Sequence, residues 1–164
     1  GSIIPVLTTN LLANKTFLIT DRNVTRFAMQ LNEAVNLVLQ VTSMMTGGET
    51  FILKMNAFNL GDMVDSFKNI AKKLKIEFPG EEIIDLIPGE KLHEDLISHL
   101  EISKLYETDN MFIIYDEYAI HNSDHKKAVL KDYHSNCVEL IPKKDLEKWI
   151  LHDLNKKDVF KSIT

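Results

Sequence analysis

The sequence predicts an α/β fold, and three observations carry that expectation. Short apolar runs bounded by turn residues alternate with helically spaced apolar stretches over the first hundred residues. The Gly47-Gly48 pair and the cap candidate Asn59 divide these segments sharply. The chain has 164 residues, 45% of them hydrophobic and 26% charged, which suits one domain (residues 1–164) with a buried core.

The elements follow in order. Ile3, Ile4, Leu7, Leu11 and Leu12 form a helical stripe that ends near Asn14. Phe17-Leu18-Ile19 is an apolar run between Thr and polar residues, which predicts a buried strand, and residues 24–29 predict a second. Gln30-Leu31-Asn32-Glu33 opens a helix with Ala34, Leu37, Val38 and Val41 on one face, and Gly47-Gly48 breaks it. A strand is expected at residues 50–53. Asn59 then caps a helix carrying Leu60, Met63, Val64, Phe67, Ile70, Ala71 and Leu74. Residues 82–87 predict a strand, 92–100 a helix and 111–115 another strand. Residues 116–135 are polar and aperiodic and read as a loop or lid. A short strand at 138–141 and a helix opened by Pro142 and running through Leu154 complete the chain.

Composition excludes several classes of function. A net charge of −5 leaves no excess of Lys and Arg for phosphate backbones, so nucleic acid is not an expected partner. Pairs such as Lys72-Lys73 and Lys126-Lys127 are interleaved with acids, as on a solvated face. No apolar run reaches the roughly 18 residues of a membrane span, and no signal-peptide pattern opens the chain. One cysteine, Cys137, precludes an internal disulfide, fits a reducing cytoplasm, and reads as structural.

Four constellations bear on chemistry. Pro88-Gly89 marks a turn, and Glu90 after it reads as a carboxylate in the first turn of a helix, where the dipole favours it. Arg26, between Thr25 and Phe27, is either a solvated strand residue or a guanidinium fork aimed at a diphosphate. His121 and His125 stand four apart, but Asn122-Ser123-Asp124 favours a turn and no third ligand follows, so no metal site is expected. His93-Glu94 resembles the start of a zinc-protease helix, but position 97 is Ile where a second His is required. These residues also hold no glycine-rich phosphate loop. Nor do they hold a Tyr followed four residues later by Lys, a pair that would lower a phenol's pKa for proton transfer.

Taken as a set, several segments resemble the polysaccharide-biosynthesis branch of the extended short-chain dehydrogenases/reductases. They are Gly1 to Pro5, Ile19 to Phe27 (Ile-Thr-Asp-Arg-Asn-Val-Thr-Arg-Phe), Glu33-Ala34-Val35, Gly47 to Met55, and Pro88 to Glu94 (Pro-Gly-Glu-Lys-Leu-His-Glu). Tyr133 to Asn136 and the Pro142-Asp145-Leu146 helix resemble that family's tail. The likeness is closest to UDP-N-acetylglucosamine 4,6-dehydratases, and it implies the substrate-binding carboxyl-terminal part of such an enzyme without its dinucleotide-binding half. It implies that Ile4 and Pro5 line a nucleotide pocket, that the backbone of Leu18, Ile19 and Thr20 meets uracil, that Arg26 reaches the diphosphate, and that Glu90 lies near the ribose. Family chemistry is oxidation at C4 by bound NADP, loss of water across C5 and C6, and reduction at C6. NADP is expected in a full-length relative, and no cofactor in this chain. The family usually has Arg directly before Pro-Gly-Glu, where this chain has Ile87.

Three readings follow. The first is the UDP-sugar-binding portion of a nucleotide-sugar 4,6-dehydratase, not catalytic alone, as either one partner of a split enzyme or an excised piece, with an apolar patch where the dinucleotide-binding half would pack. The second is a non-catalytic nucleotide-sugar-binding or interaction module. The third is a relic with no ligand.

Overall fold

The computed structural model describes residues 2–85, 88–117, 119–120 and 124–157. They fall into two compact units, one of Gly1–Arg26, Phe58–Leu92 and Leu140–Thr164, the other of Phe27–Ala57 and His93–Glu139. Helices and strands are mixed in both.

The first unit opens with α1 (Ile3–Leu12). Pro5 lies in its first turn, where a missing N–H breaks nothing, and its carbonyl accepts from Thr9 Oγ1 at 2.8 Å. Asn14, at φ 50°, turns the chain out of the helix. Strand β1 (Phe17–Ile19) then pairs in parallel with the later β5 (Glu81–Ile83), in the register Phe17 to Glu81 and Ile19 to Ile83. Phe17 points inward and meets the rings of Phe67 and Phe78 edge-on at 5.3 and 5.2 Å, whereas Leu18 points out. The chain passes from one unit to the other within β2 (Thr25–Phe27) and again at β4 (Ala57–Asn59).

The other helices of this unit are α3 (Leu60–Leu74) and α5 (Lys143–Lys156), which pack on each other. The Asn59 side chain caps α3 by accepting from Asp62 N at 3.2 Å. Met63, Val64, Phe67, Ile70 and Ala71 bury its apolar face, and Lys75 at φ 56° ends it. Leu146, Ile150 and Leu154, spaced four apart on α5, are fully buried. An ionic cluster fastens the turn after β1 to these helices. Arg22 donates to Asp65 at 2.6 Å and to both oxygens of Glu81 at 2.6 and 2.8 Å, and Lys143 reaches Asp65 at 2.7 Å.

The second unit carries α2 (Leu31–Met44), started by a capping box in which Gln30 N donates to Glu33 at 2.6 Å. A four-stranded antiparallel sheet has the order β3 (Glu49–Leu53), β8 (Met111–Tyr115), β7 (Leu105–Glu107), β9 (Lys126–Lys127). Alternation along β8 separates two cores. Met111, Ile113 and Tyr115 pack under Leu37, Val41 and Met44 of α2, while Phe112 joins Ile97, Leu105 and Tyr133 on the other side. A two-stranded antiparallel pair, β6 (Asp95–Ile97) with β10 (Tyr133–His134), and the short α4 (His99–Ile102) complete the unit.

Four local expectations are corrected. Residues 92–100 do not form one helix. Glu94 instead exchanges hydrogen bonds with Ser135, its N–H donating to Ser135 Oγ and its carbonyl accepting from Ser135 N, both at 2.9 Å, so residues 95–97 become a strand. Helix starts only at Ser98, whose capping box with Glu101 supplies the local signal. Glu90 is therefore in no helical first turn. No strand forms over 138–141. Within 116–135, expected as loop, β9 and β10 are short strands.

Candidate functional site

The β1 strand ends at Ile19, so the next residue, Thr20, leaves the sheet beside the turn that follows β5. Glu90, just past the Pro88-Gly89 turn, reaches back to it. Thr20 Oγ1 donates to Glu90 Oε1 at 2.9 Å, and Arg26 Nη2 lies 3.2 Å from the same oxygen. Gly89, at φ 90°, adopts the left-handed geometry this turn requires. Arg26 is positioned further by Nη1, which donates to the Thr25 carbonyl at 2.9 Å and the Leu92 carbonyl at 3.3 Å. Glu90 Oε2 is withdrawn from solvent and has no hydrogen-bond partner among the described residues. A buried carboxylate oxygen without a donor is unfavourable by itself and favours any ligand group that donates there.

These residues border an open cleft of about 840 Å³, lined on one side by Ile3, Val6, Leu7 and Asn10 of α1 and on the other by Leu18, Ile19, Thr20, Ile84 and Glu90. Its walls are mostly apolar, with Lys15 and Thr16 at the approach. The β1 backbone contributes as well. Phe17 N and Ile19 O bond toward β5, to Gly80 O and Ile84 N. Alternation along a strand therefore turns the N–H and C=O of Leu18 to the opposite edge.

Of the residues named from sequence, Leu18, Ile19, Thr20 and Glu90 line this cleft, and Arg26 touches Glu90 at its margin. Ile4 and Pro5 are not among the lining residues. The sequence reading did not name the other lining residues, Ile3, Val6, Leu7, Asn10, Lys15, Thr16, Leu60 and Ile84, for this site. Helical spacing held the signal for Asn10, because residues 3, 6, 7 and 10 make one stripe of α1, and Ile4 and Pro5 lie off it. Ile87 and His121 fall outside the described residues.

The other expectations about chemistry concern groups away from this cleft. Among the described residues no cluster of three or more His, Cys, Asp or Glu is arranged to hold a metal ion. Gly47 and Gly48 have positive φ but follow the end of α2 and lead into a strand, whereas a phosphate cradle needs a helix N-terminus after the glycines. No helix among the described residues is long and apolar enough to cross a membrane.

Comparison with known proteins places these motifs in a family. The polysaccharide biosynthesis protein family matches residues 1–116. An uncharacterized membrane protein of Methanocaldococcus jannaschii is 35% identical, over 90% of this chain and 44% of its own length. A UDP-N-acetylglucosamine 4,6-dehydratase (inverting) of Campylobacter jejuni is 30% identical, over 87% of this chain and 43% of its own length. A UDP-glucose 4-epimerase of Rickettsia bellii is 29% identical, over 93% and 46%. The X-ray structure of Pen from Bacillus thuringiensis superposes with a TM-score of 0.78 at 35% identity, covering 93% of this chain and 44% of that one. The chain thus spans about half the length of the curated relatives it matches. It belongs to the polysaccharide biosynthesis protein family, whose members are extended short-chain-dehydrogenase-like proteins.

Proposed function

We propose that this chain is the UDP-sugar-binding, carboxyl-terminal portion of a nucleotide-sugar 4,6-dehydratase of the UDP-N-acetylglucosamine type, working in the cytoplasm and not catalytic by itself. The observation that carries the reading is the meeting of Thr20, Arg26 and Glu90 at the head of one cleft, from segments 64 to 70 residues apart. Arg26 supplies a fork suited to a diphosphate. The outward N–H and C=O of Leu18 match the paired donor and acceptor of a uracil edge. Glu90 Oε2, which lacks a donor, suits a ribose hydroxyl.

Redox chemistry then belongs to a dinucleotide-binding half that carries NADP, since these residues hold neither its glycine loop nor a Tyr–Lys pair. Each unit separately exposes apolar side chains suited to such a partner. Leu18 stands out from one face of the β1–β5 sheet of the first unit and Ile83 from the other. Leu31, Val35, Val38 and Leu39 stand out from α2 in the second. Residues 31, 35, 38 and 39 share one face of α2 by helical spacing, and an exposed apolar stripe of that kind marks an interaction site.

Calorimetric titration of the isolated chain with UDP and UDP-N-acetylglucosamine, with NADP as control, tests the reading. Saturable binding of both UDP ligands and none of NADP is expected. A folded chain that binds neither UDP ligand would overturn it.

A further inference from the structure

Arg26 is already engaged by internal acceptors. Two of them, the Thr25 and Leu92 carbonyls, belong to the backbone and are fixed in place. Another, Glu90 Oε1 at 3.2 Å, is a charged group on a rotatable side chain. An incoming anion can replace that carboxylate without disturbing the backbone. Both side chains are about a quarter exposed, 24% for Arg26 and 23% for Glu90, so ligand can reach them and their attraction is only partly screened. The carboxylate does not depend on Arg26 alone. Thr20 Oγ1 donates to the same Oε1 at 2.9 Å, Oε2 has no partner among the described residues, and Glu90 lines the cleft. While Glu90 stays against Arg26, its charge opposes any second anion there.

We propose that Glu90 is an internal anion occupying the diphosphate seat of Arg26, and that a phosphate-bearing ligand binds by displacing it from Arg26 while its Thr20 hydrogen bond is kept. Ligands with a diphosphate are thereby favoured over those with a single, weaker negative charge. The inference rests on the nucleotide-sugar reading for the identity of the natural ligand, but its test does not.

Inorganic pyrophosphate, which carries the anion without the nucleoside, is titrated into the full chain and into Glu90→Gln and Glu90→Ala, with circular dichroism as the fold check. Both variants are expected to bind it about fivefold more tightly, the upper range for one part-exposed ion pair. Equal or weaker binding by the folded variants, or no binding by any form, overturns displacement. UDP is titrated into the unsubstituted chain alongside. Absence of UDP binding overturns the nucleotide-sugar reading, whereas UDP binding without a gain for pyrophosphate overturns displacement alone.

Discussion

Arg26 Nη2 and Glu90 Oε1 lie 3.2 Å apart across 64 residues of sequence, in a pair that is neither fully buried nor freely solvated. That intermediate setting suits binding better than stability. A deeply buried pair would be too costly to separate, and a fully exposed one would hold neither side chain in a defined place. Here the backbone carbonyls of Thr25 and Leu92 keep the guanidinium aimed, and Thr20 holds the carboxylate independently of it.

Arg26→Ala is therefore expected to weaken UDP binding sharply. A charge-assisted hydrogen bond contributes about 1.5–3 kcal/mol, which is roughly ten- to a hundredfold in Kd. Arg26→Lys keeps the charge but not the fork and should fall between the two. Titration calorimetry with a thermal melt for each variant checks this. Unchanged UDP binding by a folded Arg26→Ala chain would exclude the diphosphate role.

Asn59→Ala addresses the scaffold rather than the ligand. Its side chain satisfies the Asp62 N–H at the start of α3, the helix that buries Met63, Phe67 and Ile70. Losing a cap of this kind costs about 1 kcal/mol, so the urea midpoint should fall while the slope of the transition stays the same. A shift within error would show that water replaces the cap without loss.

Elements with their own local signal were legible in the sequence. α3 is framed by Asn59 and a broad apolar stripe, α5 follows Pro142, and β8 is an unbroken apolar run, and each lies within a few residues of its expected place. Elements that exist only through a partner were not. The three residues of β7 become a strand by pairing with β8 and β9, and Tyr133-His134 by pairing with β6. Nothing in Leu105-Tyr106-Glu107 alone distinguishes it from a loop. The error at 92–100 has the same origin, because the Ser135 side chain and backbone, 41 residues away, take the Glu94 hydrogen bonds that a helix would have used. In the cleft, motif resemblance named Thr20, Arg26 and Glu90 one by one. That two of them donate to a single oxygen of the third is set by where β1 and β5 end, which spacing does not encode.

His134 carries the last prediction. It bridges Asp95 of β6 and Asp132, which lies 3.4 Å from its Nε2, and His99 of α4 approaches the same Asp132 at 3.5 Å. The hydrogen bond to Asp95 is the largest influence and raises the His134 pKa above its ordinary 6.5. A group whose folded pKa is raised stabilises fully below its unfolded value and loses that contribution as pH rises through the folded one. The β6–β10 pair should therefore open more readily on the alkaline side of about pH 6.5. The reciprocal Glu94–Ser135 hydrogen bonds persist there, so opening stays local. Hydrogen exchange at Ile97 and Tyr133, corrected for the intrinsic pH dependence of exchange, should show protection falling across that range. The His134→Gln variant should lack the pH-dependent step, and protection that rises with pH would show that carboxylate titration, not the imidazolium, governs this pair.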